Sequence, residues 1–135
     1  PMQQLIDAAG GLPEDTGKII GGGPMMGRAL VDTSVPVTKG SSGLSLLSQK
    51  ESRRKESRDC IRCAKCVGAC PMGLNPAFLM RDSKTKDWDS CEKMHVFDCI
   101  ECGSCSFTCP ANRPLLDYIR IGKQTVMGIM RSRKQ

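Results

Sequence analysis

The chain has 135 residues, nine of them cysteine, and only 4% are aromatic, which allows one domain or two small ones with little bulk for a hydrophobic core. No apolar run approaches the roughly 18 residues that a membrane-spanning helix needs, and none resembles a secretory signal. The sequence therefore predicts a segment that is soluble by itself. Its formal net charge of +6 counts every cysteine as neutral.

The first 47 residues predict one helix followed by about three short strands. Residues 2–9 have helical spacing and end at the pair Gly10 and Gly11, a common signal for a helix C-terminus. Short aliphatic and β-branched runs separated by turn residues predict strands at 18–20, 29–31, 35–38 and 43–47. This is a thin α+β unit. Because it begins with a helix and no preceding hairpin, we expect the tail of a longer domain.

The glycine-rich stretch 21–27, with the sequence GGGPMMG, invites comparison with nucleotide-binding loops. It lacks both a Gly-Lys-Ser/Thr ending and the G-x-G-x-x-G spacing before a helix. We therefore expect a turn that requires a positive φ angle. Met25 and Met26 are predicted to pack or make contacts rather than to bind a metal.

Basic residues are concentrated at two places. Seven of them precede or enter the first group of cysteines, and three more end the chain: Lys50, Arg53, Arg54, Lys55, Arg58, Arg62 and Lys65, then Arg131, Arg133 and Lys134. They form either a solvated face beside an anionic cofactor or a docking surface for an acidic redox partner or an anionic membrane. The sequence leaves both interpretations open.

Two copies of one cysteine spacing, C-x2-C-x2-C-x3-C-P, occupy residues 60–71 and 99–110, which is a repeat with a period of 39. This spacing is typical of [4Fe-4S] clusters, and in two-cluster ferredoxins the cysteine before proline completes the cluster of the other run. The predicted ligands are Cys60, Cys63, Cys66 and Cys109 for one cluster, and Cys99, Cys102, Cys105 and Cys70 for the second.

Other uses of these thiols fit less well. A zinc site has no reason to repeat this spacing with a terminal proline. Disulfides need an oxidising compartment, and nine cysteines would leave one unpaired. The ninth, Cys91, lies outside both runs and is predicted to be a small, half-buried helix residue.

Helices are predicted at about 76–83 and 114–130, with proline near the start of each and Asn75 as a cap. Residues 77–80 and 87–95 further suggest two short helices between the cysteine runs, which favours a helical ferredoxin module over a compact β-rich one. Trp88 and Tyr118 are predicted core residues, and His95 a helix-end residue or a cluster-tuning donor. No residues pair as nucleophile and base, or as acid and base. We also expect this half to be largely unfolded without iron.

Eight thiolates and two oxidised clusters would reduce the net charge to about +2, which removes most of the case for nucleic-acid binding. The motifs, taken in order, resemble the C-terminal part of the C subunit of the Rnf complex, a membrane-bound ion-translocating ferredoxin:NAD oxidoreductase. The resemblance covers nearly the whole chain, through GGPMMG at 22–27, VPVTKG at 35–40, and the segments 60–74 and 95–103.

The resemblance implies an α+β chain in four parts. These are a partial β-grasp domain of the soluble-ligand-binding type over residues 1–47, a basic linker over 48–58, a mainly α-helical two-cluster [4Fe-4S] ferredoxin domain over 59–125 and a basic tail over 126–135. An upstream domain, absent here, would bind FMN and NAD(H). No ligand-binding residue of the β-grasp segment can be named.

The implied function is an electron relay between that flavin and an iron-sulfur partner subunit, in a complex that moves Na⁺ or H⁺. The resemblance implies a peripheral location on the cytoplasmic face of the bacterial inner membrane, with membrane contact through partner subunits. Two alternatives remain: an iron-sulfur subunit of a soluble dehydrogenase or reductase, and an iron-sulfur-stabilised binding module whose affinity for nucleic acid would fall with salt.

Overall fold

The computed structural model describes residues 1–133 and divides the chain into two compact units, Pro1–Lys55 and the part from Glu56 onward. The boundary falls inside the predicted linker, although residues 48–52 of that linker are ordered as the end of a strand and a short helix. The domain limits stay predictions.

The first unit contains a three-stranded antiparallel sheet and two helices: α1 (Met2–Ala8), β1 (Thr16–Gly21), β2 (Arg28–Ala29), β3 (Leu44–Ser48) and α2 (Gln49–Ser52). The central strand is β1, and the sheet order is β2-β1-β3. Ile20 lies opposite Ala29 on one side and Ser45 on the other. The buried apolar side chains of this unit are those of Met2, Ile6 and Ile20.

The helix and three of the predicted strands are confirmed in this unit, but the strand predicted at 35–38 is wrong. Pro36 has no N–H to donate to a ladder, and the carbonyl of Val35 instead accepts from the backbone N–H of Met2 at 2.8 Å. The predicted positive φ in the glycine-rich turn is confirmed at Gly22, where φ is +104°.

The second unit is helical, with α3 (Lys65–Gly68), α4 (Pro76–Thr85), α5 (Trp88–Lys93), a 3-10 turn (Val96–Asp98), α6 (Ser104–Phe107) and α7 (Leu115–Ser132). Side-chain caps explain where two of these helices, α4 and α5, begin. Asn75 accepts from the N–H of Phe78 at 3.3 Å, and Asp87 accepts from the N–H of Ser90 at 3.0 Å. The two short helices predicted between the cysteine runs are thus confirmed as α4 and α5.

Helices α4, α5 and α7 pack around one apolar core. The largest fully buried side chains are Leu79, Leu115, Ile119, Val96, Val126 and Cys91. Gly122 of α7 lies directly against Ser83 of α4, so the absent side chain allows the two helices to approach closely. One buried carboxylate, Asp82, is satisfied by Arg81 Nε at 2.6 Å and by Ser90 Oγ at 2.6 Å.

Helix α7 includes residues 126–132 of the predicted tail. Arg133 follows it and donates to both carboxylate oxygens of Glu92, at 3.0 and 2.8 Å. Lys134, which the sequence analysis assigned to the basic C-terminus, lies outside the described residues. Among residues 1–133 we find no helix with the length and apolar character that crossing a bilayer demands.

Candidate metal centres

The two cysteine loops have the same backbone geometry. Left-handed φ angles occur at Arg62 and Ala64 in the first loop, and at Glu101 and Gly103 at the equivalent positions, 39 residues later, in the second. Each loop then enters one turn of helix, α3 or α6. Alternating right- and left-handed residues direct backbone N–H groups into a concave surface that suits anions, including iron-sulfur clusters.

The first candidate site is a cavity of about 640 Å³. Four cysteines line it, three from the first run and one from the second: Cys60, Cys63, Cys66 and Cys109. Cys60 and Cys63 are exposed, whereas Cys66 and Cys109 are half-buried. Burial raises the pKa of the Cys66 thiol, and the nearby Cys109 adds to the rise. The structure thus brings the last cysteine of the second run beside the first run.

The second candidate site reverses this arrangement. Its four cysteines are Cys99, Cys102 and Cys105 from the second run and Cys70 from the first. The other lining residues are mainly apolar, among them Leu74, Leu79, Leu116 and Ile119. This cavity is much smaller, at about 20 Å³.

The thiols of the second site lie in contrasting surroundings. Burial raises the pKa of Cys105 to about 11 and also raises the pKa of Cys99. Cys102 differs, because the hydroxyl of Ser104, 3.4 Å from its sulfur, lowers the pKa. The backbone N–H of Glu101 donates to Cys99 Sγ at 3.4 Å, as the loop geometry suggests. Neutral buried thiols of this kind are stabilised as thiolates by bound iron.

The donor chemistry of both cavities fits a four-iron cluster. Each cavity offers four thiols, and neither is lined by a carboxylate in the described part of the chain. Within residues 1–133, no three Cys, His, Asp or Glu side chains converge closely enough to hold a single metal ion. A four-iron cluster does not require that convergence, because each thiolate binds a different iron.

Residues 52–110 match the 4Fe-4S dicluster domain family. The chain is also 45% identical over 127 residues to the C subunit of the Na(+)-translocating ferredoxin:NAD(+) oxidoreductase complex of Acetobacterium woodii, an alignment that covers 94% of this chain and 29% of the relative. It is 45% identical to the C subunit of the proton-translocating ferredoxin:NAD(+) oxidoreductase complex of Clostridium ljungdahlii, over 88% of this chain and 26% of the relative.

A third relative is the C subunit of the ion-translocating oxidoreductase complex of Methanosarcina acetivorans, 40% identical over 94% of this chain and 28% of that protein. The chain is homologous to one segment of these C subunits. It spans less than a third of the length of these relatives. The match supports the Rnf resemblance inferred from the motifs, and the domain match shows that this segment includes a ferredoxin-type dicluster domain.

The remaining candidate residues lie away from the two cavities. Cys91 is fully buried on α5, with its sulfur 3.5 Å from Ser83 Oγ, and is more enclosed than predicted. His95 lies beside Phe97 and 3.8 Å from Asp98, at the start of the 3-10 turn. Trp88 and Tyr118 are partly buried against the core, as predicted.

Sequence reasoning missed most of the residues that surround the thiols. Arg81 and Arg113 line the first cavity together with Arg62, which had been identified only as part of a basic run. The repeat could have pointed to two of these arginines, because its period of 39 residues aligns Arg62 with Glu101 and Arg113 with Leu74. These pairs place different charges at equivalent positions of the two sites.

Proposed function

We propose that this segment is an electron relay that holds two [4Fe-4S] clusters with crossed ligation. The first cluster would be held by Cys60, Cys63, Cys66 and Cys109, and the second by Cys99, Cys102, Cys105 and Cys70. The supporting observation is that each cavity collects three cysteines of one run and the last cysteine of the other. When bound, such clusters accept and release single electrons.

The chain's own residues supply position and environment. Thiolates would anchor the irons, and amides such as that of Glu101 donate to sulfur, which raises the affinity of the site for an electron. Leu79 and Ile119 exclude water from the second site. Lys123 donates to the carbonyl of Cys99 at 2.6 Å and thereby fixes the start of the second loop.

The wider role follows from the names of the relatives, which belong to ion-translocating ferredoxin:NAD(+) oxidoreductase complexes. We propose that the segment acts as an electron-transfer subunit of such a complex, between FMN and NAD(H) sites in an upstream domain and an iron-sulfur partner subunit. It would lie peripherally on the cytoplasmic face of the membrane. We further propose that the sheet of residues 1–47 is part of a β-grasp domain with a scaffold role.

The first test is anaerobic reconstitution with iron and sulfide, followed by iron counting and electron paramagnetic resonance (EPR) of the dithionite-reduced protein. We expect about eight irons per chain and two reducible [4Fe-4S] clusters. Bound zinc, or iron that cannot be reduced, would contradict the relay and favour a structural metal module.

Crossed ligation is tested by an experiment that reports separately on the thiols of each site. We expect Cys70→Ala to expose Cys99, Cys102 and Cys105 to alkylation, while the thiols of the first site stay protected. Cys109→Ala should give the reverse pattern, and peptide mass spectrometry distinguishes the two. Cys91→Ala is the matched control and should keep all eight irons. Loss of protection within the same run as the mutated cysteine would show that each run binds its own cluster.

A further inference from the structure

The internal repeat allows the two sites to be compared position by position. Arg62 and Glu101 occupy the same left-handed position in their loops, with φ of 55° and 57°, and each immediately precedes the middle cysteine of its run. Arg113, after the second run, corresponds to Leu74 after the first. At both pairs the arginine lines the first site, whereas Leu74 lines the second.

The surroundings of the first site have an excess of positive charge. Three arginines line it, namely Arg62, Arg81 and Arg113. Of these three, only Arg81 forms an ion pair within residues 1–133, with Asp82 at 2.6 Å. Arg113 is half-buried, and its guanidinium donates to the sulfur of Met80 at 3.3 Å.

The second site lacks this excess. No charged residue in the described part of the chain lines its cavity. Glu101, on the loop of this site, accepts from Arg120 at 2.8 Å and lies 3.4 Å from Lys123, so one carboxylate offsets part of their positive charge. Its thiols are also less exposed than Cys60 and Cys63, because apolar side chains surround them.

Reduction adds one negative charge to a group that is already anionic. Positive neighbours and access to water favour the added charge, whereas apolar burial and a nearby carboxylate oppose it. We infer that the site of Cys60, Cys63, Cys66 and Cys109 has the higher reduction potential, and that Arg62 and Arg113 at this site and Glu101 at the other set the difference. An electron shared between the sites then resides mainly at the first.

This inference rests on the proposed two-cluster relay, and its test is an anaerobic redox titration of the reconstituted chain followed by EPR. Iron counting comes first, because fewer than about eight irons per chain, or clusters that dithionite does not reduce, would contradict the relay itself. With both clusters present, we expect two separate reduction steps. A single unresolved step would overturn only the inferred difference between the sites.

Charge-neutral variants then assign each step to a site. Arg62→Gln and Arg113→Gln should shift the upper step to lower potential and leave the lower step unchanged. Glu101→Gln, which can still accept from Arg120, should raise the lower step. Lys84→Gln is the matched control, since Lys84 is exposed on α4 and lines neither cavity, and should move neither step.

The opposite pattern would refute the inference. If Arg62→Gln lowers the lower step, the first site is the weaker electron acceptor. If neither arginine variant moves the upper step, the arginines do not set it. Arg62 is exposed in a loop, so its variant is expected to fold and load iron even if Glu101→Gln does not. The arginine variants therefore decide the outcome by themselves.

Discussion

The close approach of α4 and α7 depends on Gly122, and its replacement by alanine tests the packing of the helical unit. A Cβ at this position would overlap Ser83 Oγ and would lie 3.1 Å from Ser83 Cβ and 3.7 Å from Cys91 Sγ. Overpacking of this kind costs about 1–3 kcal/mol. Alanine in a helix interior recovers about 0.5–1 kcal/mol relative to glycine. The expected net loss of stability is therefore about 0–2.5 kcal/mol.

Gly128 provides a matched control in the same helix, because it is exposed and a Cβ there would meet no atom within 4 Å. Gly128→Ala should stabilise the protein by about 0.5–1 kcal/mol. The assay is the apparent melting temperature of the iron-loaded protein, measured anaerobically by circular dichroism at one scan rate. For a domain of this size 1 kcal/mol corresponds to a shift of about 4–8 °C.

A second substitution identifies the clashing atom. Ser83→Ala removes the hydroxyl that the new Cβ would overlap, so the double variant Gly122→Ala/Ser83→Ala should recover part of the loss. The reasoning would be refuted if Gly122→Ala raised the melting temperature as much as Gly128→Ala does. Additive effects in the double variant would show that Ser83 Oγ is not the source of the strain.

Three further outcomes are expected. Iron chelation should abolish most of the helical circular dichroism of residues 56–133, since cluster binding contributes folding free energy; an apo protein with unchanged helicity would contradict this. Asp82→Asn should lower the stability by about 1–2 kcal/mol at pH 7. The Arg81 hydrogen bond lowers the pKa of Asp82 below its ordinary 3.8, so this stability is present above that value and is lost as pH falls through the lowered pKa. The difference between wild type and variant should then stay constant from pH 7 to 5, and a decline within that range would refute the assignment. Asp87→Ala should cost about 1 kcal/mol by removing the cap of α5, whereas Asp87→Ser should retain most of the stability in the same melting assay.

Local features of the structure were predictable from the sequence. Asn75 and Asp87 cap the helices that follow them, because capping depends on residues three positions apart. The glycine-rich turn requires positive φ at Gly22 for an equally local reason. The strand predicted at 35–38 was wrong because that prediction followed a short run of β-branched residues and did not take the missing N–H of Pro36 into account.

Features that depend on packing between distant parts of the chain were harder to predict from the sequence. The complete burial of Cys91 depends on how α5 meets α4 and α7, and a lone cysteine outside both runs does not reveal it. Arg81 and Arg113 were not connected with the first site, since they lie far from its loop in the sequence. The repeat aligns Arg113 with Leu74, but the alignment shows neither which cavity each residue lines nor how exposed its thiols are.

The sequence by itself determined the two cysteine loops, the helices that follow them and the family to which this segment is homologous, because each depends on short spacings between residues. Only the tertiary structure decided which residues surround each set of thiols. It gave the first cavity its arginines and enclosed the second in leucine and isoleucine, whereas the spacing had already predicted which run Cys109 and Cys70 each join. Charges act through space, and access to solvent depends on how elements pack, so the surroundings of each cavity depend on contacts between elements that are distant in the chain.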